Sequence, residues 1–283
     1  MNIKIITDSA CDIPLKAKLK HVDILNFYLT IDGKSFEERK DFTFKEFYKI
    51  LEKCEAIPST AHITMLRYGE KFESVYHNGA SDIIVVTINK GASATYDAAV
   101  MARQLFFEEH PDAQVNITIV DSACYSVGYG WPIMQADEMI EKGATPQEII
   151  AYFNAKFQRT EILLAAYTLK FMKKSGRISA AAAFAGEMLS FKPIITMIKG
   201  HTTVVKKVRG DKMVIPGLIQ QFKERTDDLE HYIIGYTDEE YGKELYSECV
   251  KEIGFPPLGT FELGCAVTIN AGNHSLGIVY TGK

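Results

Sequence analysis

Three short β-branched runs constrain this chain more than anything else in it: Ile3–Thr7, Ile83–Ile88 and Val115–Val120, separated by stretches of helical period. Strand alternating with helix builds βαβ units, and βαβ units build a parallel sheet with helices on its faces. The helix starts carry their own punctuation. Thr43 with Glu46 forms a capping box ahead of Phe44, Phe47, Tyr48 and Leu51, which share one face at helical spacing. Thr145, Pro146 and Glu148 repeat that signal, with proline at the first helical position, where no amide donor is lost. Asp32-Gly33, between Phe27–Ile31 and Ser35–Phe36, predicts a tight hairpin, because Asp-Gly readily takes the positive φ angles of such a turn.

Past about residue 160 the pattern changes. Strand-like runs at 162–167, 194–198, 202–208, 231–236 and 276–281 alternate less regularly with helices at roughly 180–190, 212–225 and 240–253. This half reads as a second α/β domain with a mixed sheet. A length of 283 residues suits two cores, and no low-complexity linker marks the junction near 155–160.

Composition narrows the function classes. Hydrophobic residues at 47% and charged residues at 24% exclude a disordered or fibrous chain. A net charge of −4, with basic and acidic residues interspersed, speaks against duplex nucleic acid as a partner. Met1–Ile6 lacks a secretory layout, and the longest apolar runs, Ile83–Ile88 and Ala180–Gly186, fall far short of the roughly 20 residues that span a bilayer, so a soluble cytoplasmic protein without stable membrane insertion is expected. The five cysteines have no C-x-x-C pair and the seven histidines no i, i+4 pair. Neither a disulfide framework nor a metal site is expected, nor any cofactor.

Two tetrads echo each other: Asp8-Ser9-Ala10-Cys11 after the first strand and Asp121-Ser122-Ala123-Cys124 after the third. Both stand at carboxyl ends of strands, where open parallel sheets bind their ligands. Asn89-Lys90-Gly91-Ala92-Ser93-Ala94-Thr95-Tyr96 follows the second strand and opens a helix to about Phe107. Ser93 suits its N-cap, and the unpartnered first amides of a helix suit a carboxylate or phosphate. Gly91-x-Ser93 also resembles a hydrolase nucleophile elbow with late His274 as base, but the elbow needs G-x-S-x-G and Thr95 takes the final glycine's place. Nucleotide loops are missing: there is no P-loop, and Gly128-Tyr129-Gly130 runs into Trp131-Pro132. Ile57–Thr64 reads as a polar connector in which Thr64 caps the next helix and His62 is solvated. After Ser175–Ser179, the alanine run 180–183 with Met188, Leu189 and Phe191 fits either a slot for an apolar ligand or a close helix contact.

Taken together, these segments resemble the DegV family along essentially the whole chain. Thr7-Asp8-Ser9-Ala10-Cys11-Asp12 corresponds to the opening T-D-S-x-x-D, Pro58-Ser59-Thr60-Ala61-His62 to P-T-T-S-Q, and Gly91–Tyr96 to G-x-S-G-T-Y. Ser175-Gly176-Arg177-Ile178 corresponds to G-G-R-I and Phe191-Lys192-Pro193-Ile194 to x-K-P-I, before a glycine-rich close at Gly272–Gly277. Six weak motifs in one order are specific. The resemblance implies an α/β protein of two domains, shared distantly with dihydroxyacetone kinase subunits: residues 1–158 a three-layer α/β/α domain with a parallel sheet, residues 159–283 a two-layer α/β domain with a mixed sheet. It implies binding of a long-chain fatty acid, no catalysis by the chain itself, and presentation of the acid to the catalytic subunit of a separate fatty acid kinase for phospholipid synthesis.

Carried over by motif, the carboxylate is held by Thr60 and Ser93, with Ala61, His62 and Ala94 standing at the neighbouring motif positions. The family's late histidine corresponds to Asn270, which donates through its amide but carries no charge; His62 or His274 is a candidate substitute. Arg209 resembles an arginine near the head group or the partner surface. About fourteen methylenes at ~0.8 kcal/mol each would contribute on the order of 11 kcal/mol gross, against roughly 1.5–3 kcal/mol per head-group hydrogen bond. The tail sets affinity and the head sets identity. The rival expectation is an enzyme acting on a small hydroxylated or acyl substrate, either a serine hydrolase through Ser93 or a phosphotransferase. A monomer is the default.

Overall fold

The computed structural model describes residues 2–168, 170–179 and 191–283. In chain order the elements are β1 (Ile3–Asp8), β2 (Val22–Leu25), β3 (Tyr28–Ile31), β4 (Lys34–Glu37), α1 (Phe44–Lys53), β5 (Ser59–Ala61), α2 (Met65–His77), β6 (Asp82–Thr87), α3 (Thr95–Glu109), β7 (Asn116–Asp121), α4 (Val127–Glu141) and α5 (Pro146–Arg159). They continue with β8 (Thr160–Ala166), α6 (Lys170–Ser175), β9 (Phe191–Ile198), β10 (His201–Arg209), α7 (Val214–Arg225), β11 (Tyr232–Tyr236), α8 (Glu239–Ile253), β12 (Thr260–Glu262), α9 (Cys265–Ala271) and β13 (Ser275–Thr281). The expected helix near 180–190, with the alanine run, Met188 and Leu189, lies outside the described residues.

Four strands form a parallel sheet in the order β2-β1-β6-β7. Every residue of β6 is buried, which is why its centre, Ile83–Val86, is a continuous apolar run and not an alternating one. Six strands form a mixed sheet in the order β10-β9-β8-β13-β11-β12, antiparallel except where β12 lies parallel to β11. A small antiparallel sheet, β4-β3-β5, contains the predicted hairpin, with Asp32 and Gly33 at φ 45° and 79°.

Side-chain alternation sorts these sheets into layers. On one face of the parallel sheet, Ile6, Ile83, Val85 and Ile117 pack with Tyr68 and Phe72 of α2 and Phe106 of α3. On its other face, Ile5, Ile84, Val86 and Val120 share a core with Tyr129 and Ile133 of α4 and with Ile149 and Phe153 of α5. That same core takes in Ile162, Leu164, Ile195 and Val279, the inward residues of the mixed sheet. The outward residues of that sheet, Leu163, Ile194 and Ile278 among them, are covered by Leu218 and Phe222 of α7 and Leu245 of α8. The order is thus α2/α3, parallel sheet, α4/α5, mixed sheet, α7/α8, with the middle helices serving both sheets.

Several expectations shift in detail. The connector at 57–64 contains β5, which pairs Thr60 with Leu29 of β3, while Thr64 does cap α2 by accepting from Arg67 N at 3.4 Å. The helix after the Gly91 turn begins at Thr95, two residues beyond Ser93, and its cap position, Ala94, offers no side-chain acceptor. Helix α4 has no counterpart among the expected elements, and its first turns carry Gly-Tyr-Gly-Trp-Pro, which intrinsic propensity disfavours in a helix. There the packing decides: a Cβ on Gly130 would stand 2.0 Å from the carbonyl oxygen of Cys11, so only glycine lets α4 approach the turn after β1.

Candidate functional site

The site grows from the carboxyl ends of the parallel strands, and the two echoing tetrads hold its central loop. Asp8 accepts from Ala10 N (3.2 Å) and Asp121 from Ala123 N (2.9 Å), so each closes its own turn. Each also accepts one amide from the loop after β6: Asp8 from Ile88 N at 2.8 Å and Asp121 from Lys90 N at 3.0 Å. Asn89, between them, accepts from Gly91 N at 3.1 Å and donates to the Tyr125 hydroxyl at 2.7 Å. The backbone that carries Ser93 is therefore pinned from both sides of β6.

Ser93 does not cap α3 as an N-cap residue; its Oγ accepts from Thr95 N at 3.3 Å and lies 2.8 Å from Thr95 Oγ1. Thr95 is fully buried, and its Oγ1 also accepts from Ile63 N at 3.4 Å. One threonine thereby ties the loop of Ser93 to the loop of Thr60, an arrangement that spacing alone does not announce.

Helix α9 closes a third side. Glu38 accepts from Ala266 N at 2.9 Å and from the Ser9 hydroxyl, and Asp12 accepts from the Ser126 hydroxyl. A Cβ on Gly264, the residue before α9, would lie 2.3 Å from Asp12 and 3.1 Å from Glu38, so both carboxyls press on the start of that helix. Burial, which disfavours charge, pushes Asp8 up to about 6 and raises Asp12 and Glu38 as well. These acids do structural work on the loops around the site, and none of the three lines it.

The result is a cavity of about 480 Å³ into which Thr60, His62, Ser93, Ala94 and Asn270 all face. Thr60, His62 and Ala94 are exposed at its mouth, together with Lys90 and Arg177, two cations that sequence reasoning did not single out for the site. Its depth is apolar and buried, with Val127 of α4 and Ile162, Leu164, Met197 and Val279 of the mixed sheet. Asn270 uses one amide proton on Ala266 O, 2.7 Å away in its own helix. Ala61, between two lining residues of an extended segment, is not part of the lining, and neither is Arg209, the exposed last residue of β10. His274 stands outside too, 3.5 Å from Asp238. Among the described residues, Glu73, Glu109 and His110 have donor atoms close enough together for a metal, and none of them borders the cavity. No helix of the described residues is long and apolar enough to cross a membrane.

The family model described as "Uncharacterised protein, DegV family" matches residues 2–283. The chain belongs to the DegV family. A DegV domain-containing protein of Caldanaerobacter subterraneus is 28% identical over 99% of both chains. The structure of a stearic acid-binding protein of Eubacterium ventriosum superposes with a TM-score of 0.85 at 25% identity, covering 98% of this chain and 97% of the other. The fatty acid kinase B3 protein of Streptococcus pneumoniae, loaded with linoleic acid, superposes at 0.85 with 18% identity over the full length of both, a likeness that speaks for the fold. In this DegV chain the opening T-D-S-x-x-D segment, Thr7–Asp12, supplies two of the buried carboxyls, and the segments around Thr60 and Ser93 supply the rim.

Proposed function

We propose that this protein binds one long-chain fatty acid, with the carboxylate at Thr60 and Ser93 and the tail in the apolar depth, and presents it to the catalytic subunit of a fatty acid kinase. The observation that carries this reading is the gradient along a single cavity, from hydroxyls, His62 and cations at an exposed mouth to a buried aliphatic floor. An amphiphile with one acidic end fits that gradient; a small polar substrate would leave the floor empty. About 480 Å³ falls within the ~300–1,000 Å³ usual for small-ligand pockets. The relatives that carry stearic and linoleic acids on the same fold support the ligand class. Binding is favoured over hydrolysis because the hydrogen bonds of Ser93 run to Thr95 and not to a histidine or carboxylate that would act as base. The setting is cytoplasmic, the protein acts as a monomer, and the exposed mouth is the side a kinase reaches. Asn270 holds the head group by hydrogen bonding alone.

Native mass spectrometry of freshly purified protein tests this, with one acyl chain per protein as the expected result and no acyl chain, before or after incubation with palmitic acid, as the refuting one. In Thr60→Val/Ser93→Ala the affinity should drop about tenfold or more for each lost bond to the carboxylate, at roughly 1.5–3 kcal/mol each, with the fold retained. Unchanged affinity would move the head group elsewhere.

A further inference from the structure

Gly235 and Gly277 are cross-strand neighbours in the mixed sheet, and Gly277 pairs on its other side with Leu164. Their strand neighbours two residues away, Ile233 and Val279, face the middle layer, so both glycines face it too. Both line the cavity. Neither has a positive φ, so no backbone conformation demands glycine at either position. Nor does crowding by the main chain explain both: a Cβ on Gly277 would meet only Leu163 O at 3.3 Å, and one on Gly235 would meet the side chain of Leu263, its nearest atom at 2.9 Å. Glycine inside a strand weakens it and leaves the sheet face there without a side chain of its own. The Leu263 side chain occupies the space over Gly235, so the notch in the cavity lining lies over Gly277 and is one side chain deep.

The notch has a wall. Val127 of α4 and Val279 of β13 line both this cavity and a second one of about 340 Å³, bounded further on by Trp131, Gln135 and Tyr232. These two valines are the partition between the spaces.

We propose that the notch over Gly277 seats the methyl end of the acyl chain and that Val127 and Val279 set the longest chain the protein accepts. The inference rests on the fatty-acid reading above and adds a rule of selection to it. An unbranched saturated terminus is the shape that a shallow notch between flanking isoleucine, leucine and valine side chains admits. A methylene that no longer fits forfeits its burial, a loss of roughly fourfold in affinity each.

The test is a series of saturated acids from dodecanoic to eicosanoic, titrated against the wild type, Gly277→Val and Val279→Ala. Gly277→Val should weaken the longest acids most and leave the shortest nearly unaffected, a discrimination of about fourfold per excluded methylene. Val279→Ala should move the preferred length upward by opening the partition, a gain that a poorly folded variant does not produce. Thermal unfolding reports on the fold of Gly277→Val. If the wild type binds the series and both variants scale all acids by one factor, the proposed seat is wrong while the fatty-acid reading stands. If the wild type binds no acid, both fall.

Discussion

Asp8 concentrates much of the physics of this site in one carboxyl. It accepts from Tyr129 OH at 2.6 Å, Ala10 N at 3.2 Å and Ile88 N at 2.8 Å, and each of these bonds favours the charged form. Burial outweighs them and holds the group at about 6, above its ordinary 3.8. The folded chain therefore keeps this proton more tightly than the unfolded chain does. Its contribution is most favourable below about pH 4, declines as pH rises to about 6 and is level beyond, a change on the order of 3 kcal/mol at most. Asp12 and Glu38 are raised as well and push stability the same way. Asp8→Asn should flatten the decline between pH 4 and 6.5 in urea unfolding; parallel profiles for the two proteins would show that Asp8 does not titrate there. The variant should also lose ~1–3 kcal/mol, because an amide must turn its NH2 toward one of three donors. The repeated Asp-Ser-Ala-Cys tetrads were visible in the sequence as strand ends where ligands bind; that both aspartates hold the loop after β6 shows only in the structure. Thr95 left no comparable trace: a threonine in the first turn of a helix is ordinary until the fold brings Ile63 to it.

At the level of elements, legibility followed local chemistry. The capping boxes at Thr43 and Thr145 place α1 and α5 correctly, because those signals are satisfied within four residues. Elements defined by distant partners stayed hidden. Strand β5 is three residues long and exists only because β3 lies beside it, and α9 begins where Glu38, more than two hundred positions away, accepts its amide. Helix α4 is the sharpest case, since its Gly-Tyr-Gly-Trp-Pro start argues locally against a helix and is required by contact with Cys11. Gly130→Ala sets two effects against each other. Alanine gains about 1 kcal/mol of helix propensity, but its Cβ would collide with a main-chain oxygen that cannot rotate away, and overpacking of this kind costs ~1–3 kcal/mol or more. The collision should win, and Gly130→Ala should melt at a lower temperature than the wild type; a higher one would mean that the turn after β1 yields freely.

For the whole molecule, the strand periods foretold a parallel sheet followed by a mixed one; the motifs put Thr60 and Ser93 forward together, and both border one cavity. What periodicity could not show is that α4 lies between the sheets, since a buried helix apolar on more than one face gives little amphipathic signal; α5 keeps one apolar stripe, Ile149, Phe153 and Phe157, opposite an exposed polar face. One core joins residues from Ile3 to Val279 through that layer. Urea unfolding should accordingly give a single transition, coincident by fluorescence and by far-ultraviolet circular dichroism; two separated transitions would show that the sheets fold independently. The shared layer also supplies Val127 to the cavity, whose lining joins the loop after β6 of the parallel sheet to Ile162, Leu164, Met197 and Val279 of the mixed sheet. Damage to α4 or α5 is thus not confined to one half: the two sheets lose their common wall together, and the enclosure between them ceases to exist as a shape.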